Sequence, residues 1–234
     1  IITMLKTLRY ILILFISSCP ITLFAAVGLT SNDSIVNVST KSIVRPSRTI
    51  GGSLMFDLAG CTMAGLSAWG QYEFAARASI KECYFPVLEI GLGVCNHTSD
   101  ATDLSFKTKS PYFRVGLDYN FLKNKSSGNK LLGGVRYGFS NFRFDLAGPP
   151  ILDPISDNVT EFSFKDLHSR THWGEIVLGV ETKIYKFIHL GWSFRYKFIF
   201  NQKSPAIGKA WYSPGYGRNN GNTFGGTLNL IFNI

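Results

Sequence analysis

One short stretch of the sequence carries a serine, two histidines and an acid, which are the residue types of hydrolases and acyltransferases. Ser169 stands between His168 and His172, and Glu175 follows three positions later. A serine becomes a nucleophile when a base lies within hydrogen-bond reach and a third group orients that base. Closeness along the chain does not establish this geometry. We therefore predict no catalytic site and keep a lipid-modifying enzyme as the alternative function.

Charged side chains recur at every second position of several otherwise apolar segments, six of them acidic and six basic. Because side chains alternate across a strand, charges on one parity share one face of a sheet. A charge inside a narrow barrel is costly unless it is paired, so balanced numbers predict an interlocked ion-pair interior rather than a solute pore. A proton or ion path is the functional alternative. The predicted interior charges are Asp57, Glu73, Arg77, Glu89, Arg114, Asp118, Arg136, Glu175, Glu181, Lys183, Arg195 and Lys197.

Residues 202–222 form a predicted loop rich in aromatic side chains. Tryptophan and tyrosine together with arginine are typical of binding hot spots. The same composition suits an aromatic belt at a membrane interface with a packed loop cap, and both interpretations stay open. The candidate contact residues are Trp211, Tyr212, Tyr216 and Arg218.

The cysteines give no metal or redox motif. Cys61, Cys83 and Cys95 follow the apolar N-terminal segment, and no CxxC pair occurs. Cys61 and Cys95 are expected near the same end of the barrel, where they either pair or, in the simpler interpretation, remain thiols. We predict no cofactor and no bound metal.

Period-two alternation runs through the chain from residue 49 to the end, and residues 188–200 show it most clearly. Trp192, Phe194 and Phe198 fall on one face there, while Ser193 and Arg195 fall on the other. Seven further segments alternate in the same way over roughly the 9–11 residues that a tilted strand needs to cross a bilayer. The pattern predicts an all-β fold, an eight-stranded antiparallel up-and-down transmembrane β-barrel.

Within residues 132–146 the apolar residues change parity. Val135 and Tyr137 share one parity, whereas Phe142 and Phe144 share the other, with the change near Ser140. A β-bulge, or a strand that leaves the bilayer at this point, would produce the change.

The connections between the predicted strands alternate between short and long. Short ones lie near residues 81–84, 122–129 and 186–187, and longer ones cover residues 59–70, 96–110, 147–169 and 202–222. Outer-membrane barrels combine short periplasmic turns with long extracellular loops. A soluble sandwich has no reason to alternate in this way, so the connections favour the barrel.

The N-terminal residues are typical of an export signal. Lys6 and Arg9 follow Met4, and residues 10–23 are mostly apolar. We predict a signal peptide at residues 1–25, a flexible periplasmic lead-in at 26–48 and the barrel at 49–234. Lipidation of Cys19 is the alternative to cleavage near Ala25.

Composition permits this fold and argues against nucleic-acid binding. Charged residues make up 17% of the 234 residues, below the roughly 25% of soluble domains. The formal net charge is +9, or +7 without Lys6 and Arg9, and no basic run suggests a nucleic-acid surface.

Four stretches carry a family resemblance: PYFRVGLDYN at 111–120, GVRYGFSNF at 134–142, HWGEIVLGV at 172–180 and YSPGYG at 212–217. Together they resemble a family of β-barrel outer-membrane proteins of Bacteroidota that is a domain of unknown function. The resemblance implies a barrel in the bacterial outer membrane, and it brings no catalytic motif.

The predicted function is that of a non-enzymatic barrel with a filled polar interior. It would act as a structural or partner-binding accessory subunit of the cell envelope through its extracellular loops. Its expected partners are outer-membrane lipid and another envelope protein.

Overall fold

The computed structural model describes residues 50–122, 128–152 and 159–234. The predicted signal peptide and the periplasmic lead-in lie outside these residues, as does Cys19.

Eight long antiparallel strands close into one barrel, which confirms the predicted fold class. Neighbouring strands pair in unbroken register over most of their length. Along each strand the side chains alternate between the inner and the outer face of the barrel wall. The barrel strands are β1 Ile50–Asp57, β2 Trp69–Ile80, β3 Tyr84–Thr98, β4 Ser105–Asn120, β5 Lys130–Ala147, β8 Ser163–Tyr185, β9 Ile188–Lys203 and β12 Thr223–Asn233. Their order around the barrel is β1-β12-β9-β8-β5-β4-β3-β2.

Two small hairpins lie outside the wall of the barrel. They pair β6 Ile151–Leu152 with β7 Val159–Thr160, and β10 Tyr212–Ser213 with β11 Gly217–Arg218. The barrel closes between β1 and β12, where only Ser53–Asp57 face Asn229–Asn233.

One helix, α1 Leu58–Leu66, follows β1 and was not predicted. Asp57 caps its N-terminus, accepting a hydrogen bond from the backbone N–H of Ala59 at 3.1 Å. A carboxylate at this position satisfies an N–H that has no partner within the helix. Among the described residues no helix has the length and apolar character needed to cross a membrane.

The two ends of the barrel differ as predicted. At one end, here called the short-turn end, residues 81–83 and 186–187 join strands tightly. At the other, the long-loop end, α1 and residues 204–222 connect the strands. The connection between β3 and β4 shrinks to residues 99–104, because both strands continue beyond their predicted ends.

A wide band of the outer surface is apolar. Leu88, Phe113, Val135, Leu178 and Phe194 on five different strands are about half exposed and point away from the lumen. In water such a continuous surface would be strongly unfavourable, whereas it matches lipid chains.

Nearer the long-loop end the two faces of the wall exchange polarity: apolar side chains point into the barrel and charged side chains point outwards. Phe142 and Phe144 point inwards and are buried, while Arg143 between them is exposed outside. The register of β5 against β8 runs without a break from Lys130 to Phe144 and shifts only between Phe144 and Leu146. No bulge therefore occurs near Ser140: the parity of the strand is constant, and its two faces exchange chemistry where it rises above the apolar band.

Candidate functional site

The middle of the barrel is occupied by a cluster of buried ions. Arg114 contacts Glu73, lies 3.1 Å from Glu89 and 3.2 Å from Glu175, and its side chain is fully buried. Arg195 reaches the same three carboxylates, at 3.4 Å, 2.7 Å and 3.2 Å respectively. Two guanidinium groups thus share three carboxylates, which we call the central ion cluster.

Arg136 extends this cluster towards the short-turn end. Its Nη1 and Nη2 donate to the two carboxylate oxygens of Asp118 at 2.6 and 2.8 Å, and its Nε donates to Glu89 at 3.1 Å. A two-pronged contact of this kind fixes the plane of both groups. A cavity beside Arg136 and Arg195 measures about 40 Å³, room for about one water molecule.

A second, smaller ion cluster lies nearer the short-turn end. The carboxylate of Glu181 forms ion pairs with Arg77 at 2.5 Å and with Lys130 at 2.6 Å, and the Nδ1 of His189 lies 3.0 Å from it. Lys130 and His189 were not among the predicted interior charges, although both occupy inward positions of their strands.

Two aromatic side chains that were not predicted to lie in the interior donate hydrogen bonds to carboxylates of the central ion cluster. The hydroxyl of Tyr112 donates to Glu73 at 2.7 Å, and the indole N–H of Trp173 donates to Glu175 at 2.7 Å. Their rings lie against Gly91 and Gly138, where any Cβ would overlap them. Glycines at inward positions are the sequence signal that a large ring crosses the lumen there.

The loop at residues 204–222 folds back into the barrel and closes it. Residues 213–216 form a tight turn in which the N–H of Tyr216 donates to the carbonyl of Ser213 at 3.1 Å. Pro214 and Gly215 (φ +78°) occupy the two central positions, the arrangement of a type II turn. We call residues 213–216 the plug turn.

The plug turn contacts the barrel wall at β8 and β9. Lys197 donates to the carbonyl oxygens of Gly215 at 2.8 Å and Tyr216 at 3.2 Å, and the Thr171 and Ser213 hydroxyls lie 3.1 Å apart. The ring of Tyr216 meets Trp173 edge-on. Lys197 therefore binds backbone carbonyls of the plug turn, and no ion pair within 4 Å involves it among the described residues.

Eleven of the twelve predicted interior charges are buried in the barrel, and Lys183 is the exception. Its inward parity is right, but it lies next to the last residues of β8, where the lumen opens to solvent, so its side chain is exposed. Asp57 is buried and accepts hydrogen bonds from backbone N–H groups: it caps α1, and it accepts from the N–H of Leu228 at 3.3 Å.

The four predicted loop contact residues divide into two pairs. Tyr212 and Tyr216 are each 1% exposed, so the prediction that they meet a partner is wrong: both pack inside the mouth of the barrel. Burial raises the pKa of Tyr216 to about 12, and its hydroxyl donates to the carbonyl of Gly221. Trp211 is half-buried and Arg218 is exposed, so these two remain at the surface.

An apolar core lies above the plug turn, within the part of the barrel that rises beyond the apolar band. Phe106 stacks on Phe144 with ring centroids 5.1 Å apart, and Tyr212 packs in the same cluster. Cys95 is buried there too. Cys61 and Cys95 are both free thiols, as the simpler interpretation predicted.

A cavity of about 610 Å³ opens beside this core at the long-loop end. His97 and Trp211 stack with ring centroids 4.5 Å apart and an interplanar angle of 13°. The guanidinium of Arg218 lies 5.3 Å from the centre of the Trp211 ring. We call this cavity the aromatic pocket. Its lining comprises Ser67, Ala68, Trp69, His97, Ser99, Thr102, Leu104, Phe106, Leu146, Trp211 and Arg218.

The serine, histidine and acid of the enzyme alternative are not brought together. Ser169 is buried inside the barrel, and its hydroxyl donates to the carbonyl of Lys203 at 2.9 Å. His168 is exposed on the outer face, and the Nδ1 of His172 lies 2.6 Å from the Tyr137 hydroxyl on that same face. Serine and histidines therefore lie on opposite sides of β8, because their positions differ by an odd number.

No group of three or more histidine, cysteine or acidic side chains in the described residues is arranged to hold a metal ion.

A family model described as "Domain of unknown function (DUF6048)" matches residues 7–233. The chain belongs to the DUF6048 family. Nothing among the curated protein sequences matches it.

Two solved structures of outer-membrane proteins align with the barrel. A major outer membrane protein from Thermus thermophilus aligns over 79% of this chain and 99% of that chain, with a TM-score of 0.51 and 9% identity, and it shares the fold. Neisserial surface protein A (NspA) aligns over 78% and 94%, with a TM-score of 0.40 and 11% identity. For this DUF6048 protein the predicted kind of family, a domain of unknown function with an outer-membrane-type barrel, is confirmed. The assignment to Bacteroidota stays a prediction.

Proposed function

We propose that this DUF6048 protein is a non-conducting barrel of the bacterial outer membrane that serves as a structural or partner-binding subunit of the cell envelope. The observation that carries the proposal is the double closure of the lumen. The central ion cluster fills its middle, and the plug turn, held by Lys197, fills its mouth. A barrel sealed in this way offers a partner no site within its lumen, so we place partner binding at the long-loop end, where α1 and residues 204–222 lie.

The surface supports placing the long-loop end outside the cell. Above the apolar band exposed cations outnumber exposed acids on the outer face. Lys107, Lys109, Arg143, Arg170 and Lys203 lie there on β4, β5, β8 and β9, against Asp145 and Asp166, the second of which pairs with Arg143. Cations at this height lie where the phosphates of an anionic outer leaflet would be, a favourable arrangement. A signal peptide at residues 1–25 and a source in Bacteroidota complete the proposal.

Two measurements test the location and the closure. In fractionated cells the protein should pellet with outer membranes and should migrate differently on gels before and after heating, as intact barrels do. Reconstituted into planar bilayers it should give no ion steps, whereas an open porin in the same lipid provides the positive control. Steady conductance steps from the pure protein would overturn the non-conducting barrel.

Partner binding is tested separately, by affinity purification from native membranes in mild detergent. We expect a stable envelope protein to co-purify and to be lost when exposed residues of the long-loop end are changed. A barrel that is always recovered alone would reduce the proposal to a purely structural role.

We expect no lipid chemistry at the Ser169 region, because the serine and the histidines face opposite sides of the wall. The Ser169→Ala and His172→Gln variants should leave the lipid A profile of the cells unchanged. An altered profile with either variant would favour the enzyme instead.

A further inference from the structure

The aromatic pocket at the long-loop end combines flat apolar walls with polar side chains. Trp69, His97 and Trp211 are half-buried, so each ring still presents surface to the cavity. Phe106 and Leu146 close the apolar side. A volume of about 610 Å³ lies within the usual range of small-ligand sites, roughly 300–1,000 Å³.

The polar groups around the pocket are unsatisfied. Within the part of the chain that the structure describes, no side-chain hydrogen bond or ion pair involves the hydroxyls of Ser67, Ser99 and Thr102 or the guanidinium of Arg218. The guanidinium of Arg218 lies over the face of Trp211. Exposed groups of this kind are hydrated, and a ligand can replace that water without breaking any contact within the protein.

The lining of the pocket carries positive charge. Arg218 is the sole charged side chain in its lining, and none of the lining residues is acidic. A guanidinium offers paired N–H donors that match a carboxylate or a phosphate, and its stacking on Trp211 holds its plane in place. The site is therefore selective for a ligand that carries an anionic group next to a ring.

From this arrangement we infer that the aromatic pocket binds an acidic sugar unit of a surface glycan. The C–H face of a pyranose ring is slightly positive and packs against the negative face of an indole, here Trp69, because His97 and Arg218 already lie over the Trp211 ring. Its hydroxyls then meet Ser67, Ser99 and Thr102, and its anionic substituent meets Arg218. The inference extends the partner-binding role proposed above, since it gives the long-loop end a ligand of defined chemistry.

The alternatives fit less well. A lipid chain would bury the three hydroxyls and the guanidinium without partners, which costs free energy for each group. A purely aromatic ligand would stack on Trp69 but would leave Arg218 unused. Inorganic phosphate would satisfy Arg218 alone and gain nothing from the rings, so it should bind weakly.

Tryptophan fluorescence of the full barrel in detergent tests the inference. Two of its four tryptophans, Trp69 and Trp211, line the pocket. The probes are an oligosaccharide containing glucuronic acid, the same oligosaccharide with its carboxyl groups reduced, and inorganic phosphate, with isothermal titration calorimetry as a second readout. We expect saturable binding of the acidic oligosaccharide, at least tenfold tighter than its neutral counterpart and than phosphate.

The Arg218→Gln variant should lower the affinity for the acidic oligosaccharide at least tenfold and leave that for the neutral one unchanged. Arg143→Gln is the matched control, because Arg143 is also exposed at this end but does not line the pocket. Equal affinity for the acidic and neutral forms, equal affinity for phosphate, or unchanged affinity after Arg218→Gln would each overturn the inference. Bilayer conductance of the same preparation reports separately on the sealed barrel, so the two proposals can fail independently.

Discussion

Arg195 and Glu89 are 106 positions apart in the chain, yet their side chains meet inside the barrel with Nη1 and Oε2 2.7 Å apart. They lie on β9 and β3, which are not neighbours in the wall, so the ion pair spans the lumen. Glu89 also forms ion pairs with Arg114 and Arg136. Opposite walls of the barrel are thus tied together through one carboxylate, and losing a cation from this cluster affects several strands at once.

Replacing Arg114 should therefore destabilise the barrel strongly. Arg114→Met leaves Glu73, Glu89 and Glu175 in the interior with only part of their compensation, a loss expected to cost about 3–5 kcal/mol. Unfolding in urea, followed by the heat-dependent gel shift in detergent, measures it. The control is Arg143→Gln, whose partner Asp166 is 65% exposed, with an expected cost of about 0–1 kcal/mol. Equal losses in the two variants would contradict an energetically important cluster.

Glycines that accommodate rings across the lumen should not tolerate a methyl group. In Gly138→Ala the new Cβ overlaps the indole of Trp173, so the ring and its bond to Glu175 must move, at a cost of about 1–3 kcal/mol. Gly52→Ala is the matched change in another barrel strand, where nothing lies within 4 Å of the new atom. It should stay within about 0.5 kcal/mol of the parent in the same unfolding measurement.

Lys197 should hold the plug turn in place. Lys197→Met leaves the carbonyls of Gly215 and Tyr216 without their donor, which favours release of residues 204–222 from the lumen. Limited trypsin digestion should then cleave at Lys209 or Arg218 several-fold faster than in the parent. Lys183→Met, which removes an exposed lysine from the adjacent strand β8, should leave the cleavage rate unchanged. A rate that does not respond to Lys197→Met would mean that the other contacts suffice.

Removing the plug turn should not open a pore. If residues 210–217 are replaced by a short Gly-Ser linker, Arg114, Arg195 and their carboxylates still occupy the middle of the lumen. Planar bilayers containing this variant should stay as silent as those with the parent protein. Conductance that appears on deletion would show that the plug turn alone seals the barrel.

The barrel itself was predictable because the determining signal is local. Trp192 and Phe194 alternate with Ser193 and Arg195, and this period of two sets both the strand and its two faces. Connection lengths then distinguished the barrel from a sandwich. None of this requires knowledge of which distant residues meet.

The partners of the interior charges could not be predicted, because they depend on height within the barrel as well as on parity. Arg77 meets Glu181 only because the stagger of the closed wall brings β2 and β8 to the same level across the lumen. Lys183 has the correct parity and still lies outside the network, since it is two residues nearer the open end than Glu181.

The sequence signal for the plug turn is weaker than that for the barrel strands. Pro214 and Gly215 predict a tight turn but say nothing about where that turn packs. Gly93 in β3, where a Cβ would crowd Pro214, is part of the missing information. Such complementarity between a loop and a distant strand becomes visible only once the wall is closed.

The short seam between β1 and β12 sets the order of assembly. Because the first barrel strand pairs with the last, Ser53–Asp57 have no partner on that side until Asn229–Asn233 have been placed. Until then both edges of the sheet present unpaired backbone groups, which readily pair with other chains. The protein is therefore most prone to aggregate just before its final strand docks, and an assembly factor that shields β1 during that interval would protect it most.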